Sequence, residues 1–181
     1  MTSRGAVFLD RDNTIIHNDG DLGDPACVEL VSGAAESMSL LHKAGWPLIV
    51  VTNQGGVARG RYGQDDVRAV HARVQELLGD VPVLDWLWCP WHPNGSVPEW
   101  TREHSWRKPQ PGMLLEAARR HDLDLGASWL IGDQDRDIAA AAAAGCRSVL
   151  IGTNAGDPPP DAVVDSISDA VSHILGQASL S

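Results

Sequence analysis

"AVFLDRDNT" (residues 6–14) decides the reading of the chain. Residues 6–9 are a short apolar run, the signature of a buried strand, and the run breaks off into two carboxylates, Asp10 and Asp12. The same grammar returns on moving outward. "WPLIVVT" (46–52) gives way to "NQGG", and "VLDWLWC" (83–89) to a long loop that closes on "RKP" (107–109). "SWLIGD" (128–133) gives way to "QDRD", and "RSVLIG" (147–152) is a fifth apolar run. Helical patterns lie between these runs, at 34–43, 64–78, 113–121, 137–145 and 166–175. The clearest has Val67, Val70, Val74, Leu77 and Leu78 on a 3.6-residue period. Strands that alternate with helices predict an α/β fold with a parallel sheet covered on both faces. Ligands of such sheets bind beyond the carboxyl ends of the strands. In this sequence those ends carry most of the charge-rich chemistry.

Asp10 and Asp12 after one strand, and Asp133 at the end of another with Asp135 and Asp137 behind it, bring several carboxylates towards one place. Uncompensated, they would repel each other and take up protons. A hard divalent cation with oxygen ligands, Mg2+, resolves the conflict. Lys108 adds a fixed cation. A metal and a lysine around one carboxylate nucleophile suit a phosphoryl group, with Asp12 placed to protonate the leaving oxygen and then activate water.

Bulk composition agrees with this and excludes other classes. The 181 residues suffice for one domain with a sizeable core. A net charge of -10 without a Lys/Arg run argues against nucleic-acid binding, and no run is apolar enough for a membrane span. Three dispersed cysteines, Cys27, Cys89 and Cys146, do not form a disulfide framework; with no leader-like N-terminus, they predict a cytoplasmic protein.

"FLDRDNT", "VTNQ", Lys108 and "IGDQDRD", in that order, resemble the four motifs of the haloacid dehalogenase (HAD) superfamily. "LDRDNT", "TNQGGVARG", "CPWHPNGS" and "RKPQPGM" are similar to its branch of heptose bisphosphate and histidinol-phosphate phosphatases. The resemblance implies a Rossmann-like three-layer α/β/α domain spanning residues 1–181 without a large cap, with a loop insert at about 89–111. It implies Asp10 as nucleophile and Asp12 as general acid/base, with Mg2+ held by Asp10, Asp133 and the backbone carbonyl of Asp12. It also implies that Thr52 and Lys108 hold the phosphoryl group with Asn53 and Gln54 alongside, and that Arg107 reads the rest of a small phosphorylated sugar. Asp19 falls in a flap, "HNDGD" (17–21), expected to reach the substrate. The enzyme is expected to be a monomer removing the 7-phosphate of a heptose 1,7-bisphosphate. The alternatives are a histidinol-phosphate phosphatase and a catalytically silent sugar-phosphate binder.

The departures from the family pattern are instructive. Asn13 stands where the family has Gly, and Gln134 where it often has Lys. The loop 89–106, which carries zinc in the resembled branch, keeps only Cys89, His92 and His104 as candidate ligands. Trp91 and Trp106 occupy positions where a ligand would stand. Zinc is therefore not expected, and aromatic packing of Trp91, Trp100 and Trp106 is expected to hold the loop.

Overall fold

The computed structural model describes residues 4–153 and 156–178, the Ala178 side chain excepted. The elements run β1 (Val7–Leu9), α1 (Ala34–Lys43), β2 (Leu48–Asn53), α2 (Gln64–Leu78), β3 (Asp85–Cys89), α3 (Gly112–His121), β4 (Trp129–Gly132), α4 (Asp135–Ala144), β5 (Arg147–Ile151), β6 (Ala162–Val164) and α5 (Ile167–Ala178). The sheet is wholly parallel, in the order β3-β2-β1-β4-β5-β6. Strands β1, β2 and β4 are buried along nearly their whole length, so their side chains are apolar on both faces. Val7, Leu9, Val50 and Ile131 pack with Met38, Val74 and Val171, from α1, α2 and α5. Phe8, Val51, Leu87 and Leu130 face the other way, onto Met113, Ala117 and Ala140 of α3 and α4. Two apolar layers thus sandwich the sheet, and the alanines of α4 bring that helix close to it.

β6 was not expected from the sequence. It has three residues, sits at the sheet edge and is only half-buried, so it lacks the continuous apolar run that marks the inner strands. The order reverses between β1 and β4, which pair side by side with Leu9 opposite Ile131. A crevice opens at such a reversal, and Asp10 and Asp133 each follow one of its two strands. The amide of Asp10 donates to the Ile131 carbonyl at 2.9 Å, carrying the sheet pairing up to the first carboxylate.

Candidate active site

Asp10 is 3% exposed at the C-terminal end of β1. Lys108 arrives from the end of the long loop after β3, fully enclosed. Its Nζ lies 2.9 Å from Asp10 Oδ1 and 2.7 Å from Asp137 Oδ1, and donates to the Val51 carbonyl at 2.8 Å. Of the three ammonium protons, one goes to the Val51 carbonyl and the two carboxylates flank the rest as ion pairs, so a phosphoryl oxygen reaches this lysine by displacing a carboxylate contact or sharing with it. Burial works against the lysine's charge, but Asp10 and Asp137 outweigh it and hold its pKa above the usual range. Asn53 places the residue: its carboxamide donates to the Lys108 carbonyl and accepts from the Lys108 amide, both at 3.0 Å. Both functions of the Asn53 side chain are therefore spent on the lysine's backbone.

Asp12 is held from two sides. Arg11, fully buried, donates from Nε to Asp12 Oδ1 at 3.0 Å and from Nη2 to Oδ2 at 3.3 Å. From the other side Gln54 Nε2 donates to Oδ2 at 2.8 Å, and Thr52 Oγ1 approaches the same oxygen at 3.5 Å. Tyr62 Oη in turn donates to Gln54 Oε1 at 2.7 Å, which fixes the carboxamide's orientation. Gln54 is buried and does not line the cavity; its contacts make it a support for Asp12 rather than a substrate contact.

Asp10, Asp133 and Asp137 each present an oxygen within 4.8 Å of the others. Asp137 was not singled out in the sequence. Its signal was the four-residue spacing from Asp133, which puts it one helical turn further on, inside α4, where it is fully buried. Gly132 makes room for it, since a Cβ there would sit 2.5 Å from the Asp137 carboxyl carbon. These three carboxylates face one lysine, which leaves excess negative charge. Burial, only partly offset by Lys108, pushes Asp10 up to about 7, and burial also raises Asp133. Asp133 Oδ1 is buried with no hydrogen-bond partner. Hard oxygen donors, excess negative charge and an unpartnered oxygen fit a Mg2+ ion.

Above this floor lies a cavity of about 280 Å3, whose rim includes Asp12, Asp21, Asn53, Arg59, Arg107 and Arg136. Arg107, half-buried, reaches only the Trp91 carbonyl among the described residues, at 3.4 Å. The flap does close over one side, but Asp19 is exposed and does not line the cavity. Asp21 takes that place, accepting from Arg59 Nε at 3.2 Å. The expectation for Asp19 is corrected by two residues: Asn13 and Asn18 close a ring of two 2.9 Å bonds, after which the chain turns Asp19 outward. Asn13 does keep the turn, at a left-handed φ of 57°.

The three candidate zinc ligands do not come together; among the described residues the one His/Cys/carboxylate cluster is the aspartate trio. His104 lies flat on Trp91, centroids 3.7 Å apart, and its Nδ1 accepts from the Trp106 amide. His92 Nδ1 accepts from the Asn94 amide. The Cys89 thiol donates to the Trp91 carbonyl at 3.7 Å, and burial pushes its pKa up to about 11. In this arrangement Cys89, His92 and His104 each engage a backbone or ring partner within the loop. Trp91 also meets Trp100, 5.6 Å between centroids, and Arg102, 5.0 Å above its ring, so indole stacking occupies the middle of the loop.

A family model described as HAD-hydrolase-like matches residues 105–170, which carry Lys108, Asp133 and Asp137. The chain is 38% identical over 94% of its length to D-glycero-D-manno-heptose-1,7-bisphosphate 7-phosphatase of Thermosynechococcus vestitus, covering 95% of that protein. It is equally identical, over 95% of its length and 94% of the relative's, to the corresponding enzyme of Escherichia coli K12, named for the β anomer. The chain belongs to the HAD phosphatases. As such it is a phosphoric monoester hydrolase. Its fold matches that of D,D-heptose 1.7-bisphosphate phosphatase from B. bronchiseptica, whose structure holds magnesium and phosphate. The TM-score is 0.82 at 28% identity, over 96% of this chain and 99% of the other. No helix among this phosphatase's described residues is long and apolar enough to cross a membrane.

Proposed function

We propose that this phosphatase removes the 7-phosphate of D-glycero-D-manno-heptose 1,7-bisphosphate through a phosphoryl-Asp10 intermediate. The observation that carries the mechanism is the convergence of Asp10, Asp133 and Asp137, two of them paired with Lys108, at the floor of an arginine-rimmed cavity. The substrate rests on the names of relatives that match the chain nearly end to end.

In this reading an Asp10 carboxylate oxygen attacks phosphorus and the sugar–oxygen to phosphorus bond breaks. Asp12 gives its proton to the departing sugar oxygen. Asp12 then takes a proton from a water molecule, whose oxygen attacks phosphorus and frees Asp10 and inorganic phosphate. When bound, Mg2+ would be held by the carboxylates of Asp10, Asp133 and Asp137 with the Asp12 carbonyl, and would supply charge neutralisation at the phosphoryl oxygens. Lys108 orients Asp10 by its ion pair, and Asn53 holds the lysine's backbone in place. Gln54, Thr52 and Arg11 aim Asp12, and Arg107 faces the sugar end. The same reading makes the chain one domain over residues 1–181, acting as a cytoplasmic monomer; its free cysteines suit a reducing compartment.

The histidinol-phosphate alternative needs negative charge on the cavity wall. Of the carboxylates lining the cavity, Asp12 and Asp133 belong to the reacting centre and Asp21 is paired with Arg59, while Arg107 and Arg136 have no carboxylate partner among the described residues, which favours a second anionic group. Phosphate release should be measured with Mg2+ from heptose 1,7-bisphosphate, fructose 1,6-bisphosphate and histidinol phosphate. The expected result is fastest release from the heptose, lost on chelation with EDTA. Faster hydrolysis of histidinol phosphate would reverse the assignment.

A further inference from the structure

Three arginines line the cavity: Arg59, Arg107 and Arg136. Their states differ. Arg59 is neutralised by Asp21. Arg107 touches only a backbone carbonyl among the described residues, at 3.4 Å. Arg136, in the first turn of α4, makes no hydrogen bond or ion pair with any described residue. Its neighbour Gln134 folds back and donates to Asp133 Oδ2 at 2.8 Å, which leaves Arg136 as the cation that the β4–α4 turn presents to the cavity among the described residues. Two unpaired guanidinium groups around one cavity repel each other, and Arg136 is among the causes that lower the Arg107 pKa, after burial. An arginine without a carboxylate partner, facing a cavity, is suited to bidentate capture of phosphate. The reacting phosphoryl group does not meet that need, because it lies over Asp10, where Lys108 and the carboxylates form the floor.

We infer that Arg136, acting with Arg107 across the cavity, grips the phosphate of the substrate that is not cleaved, and is a specificity-determining residue. The inference rests on the bisphosphate reading above and extends it to Arg136, a residue within "IGDQDRD" to which that reading gives no role. It also explains how the chain manages with glutamine at position 134: the cation sits two residues on, where the first turn of α4 turns it to the cavity.

The test uses the full-length enzyme with Mg2+. The steady-state constants of wild type, Arg136→Ala and Arg136→Lys are measured on heptose 1,7-bisphosphate and on p-nitrophenyl phosphate, which has no second anion. Arg136→Ala should raise KM for the bisphosphate about tenfold, the scale of one charge-assisted hydrogen bond. The loss in kcat/KM should be several-fold greater than on p-nitrophenyl phosphate, and Arg136→Lys, which keeps the charge but not the bidentate fork, should restore only part of it. A ratio between the two substrates that Arg136→Ala leaves unchanged overturns the inference. A wild-type enzyme with no preference for the bisphosphate instead sinks the substrate reading, and this inference with it.

Discussion

Lys108 and Trp91 belong to one loop and are fixed by opposite physics. Lys108 is held by two carboxylates and a carbonyl with no access to water. Trp91 is half-exposed and held by a histidine ring, a second indole and an arginine. Charges taken from water interact strongly and cannot be unpaired cheaply. Stacked rings at a partly wet surface are worth little singly, and each can be lost without orphaning another. The end of the loop that performs chemistry is therefore rigid through charge, and the middle of it is merely packed.

Breaking the charged end should have the largest effect. Lys108→Met leaves Asp10 and Asp137 buried without their cation; stability should fall by about 3–5 kcal/mol in denaturant titrations, and phosphatase activity by roughly a thousandfold or more. A smaller loss in both would mean that the metal alone organises the carboxylates.

A buried group outside the loop sharpens the contrast, because it is desolvated and unpaired. His71 is stacked on Trp86, 4.7 Å between centroids, and its Nε2 has no partner. Burial, aided by Arg11, depresses its pKa from 6.5 to about 3. The folded state thus prefers neutral His71, so its contribution is fully present above pH 6.5 and is lost as pH falls towards 3. Between pH 6.5 and 5 this contribution should drop by about 2 kcal/mol, while Asp10, raised to about 7, takes up its proton over the same range and works against it. His71→Phe should lose this contribution, so the difference between wild-type and variant thermal melts should change by that amount over this pH range; a difference that stays constant with pH would rule out the His71 effect.

Truncating the packed end should cost less. Trp91→Ala removes three ring contacts, each worth about 0.5–1.5 kcal/mol, and should show mainly as faster proteolytic cleavage within residues 89–106. The smallest effect is expected from Cys89→Ser. A hydroxyl can donate to the same carbonyl, so stability should change by about 1 kcal/mol or less, and zinc measured on purified wild type should lie far below one per chain. Stoichiometric zinc, lost in this variant, would restore the metal reading of the loop.

Much of this was legible in the sequence, for a physical reason. Buried parallel strands must be continuously apolar, so β1, β2 and β4 announce themselves, and Asp10, Asp12 and Asp133 follow from where those strands stop. Asp137 escaped because its role depends on a helix turning it back under Gly132, beside a lysine 29 positions earlier. Gln54 and Asn53 were expected at the substrate. Only the three-dimensional contacts show their polar groups committed to Asp12 and Lys108. The Trp91–His104 stack joins residues from the two ends of the loop, and no periodicity encodes such a pair.

The account depends most on Asp10 as the group that carries the phosphoryl. Asp12→Asn enzyme should be mixed with Mg2+ and heptose 1,7-bisphosphate, quenched in acid and digested, and its peptides weighed. The peptide containing Asp10 should gain the mass of one phosphoryl group, and Asp10→Asn enzyme should show neither that gain nor turnover. Phosphate release that persists in Asp10→Asn, or a phosphoryl group found on another peptide, would contradict the account.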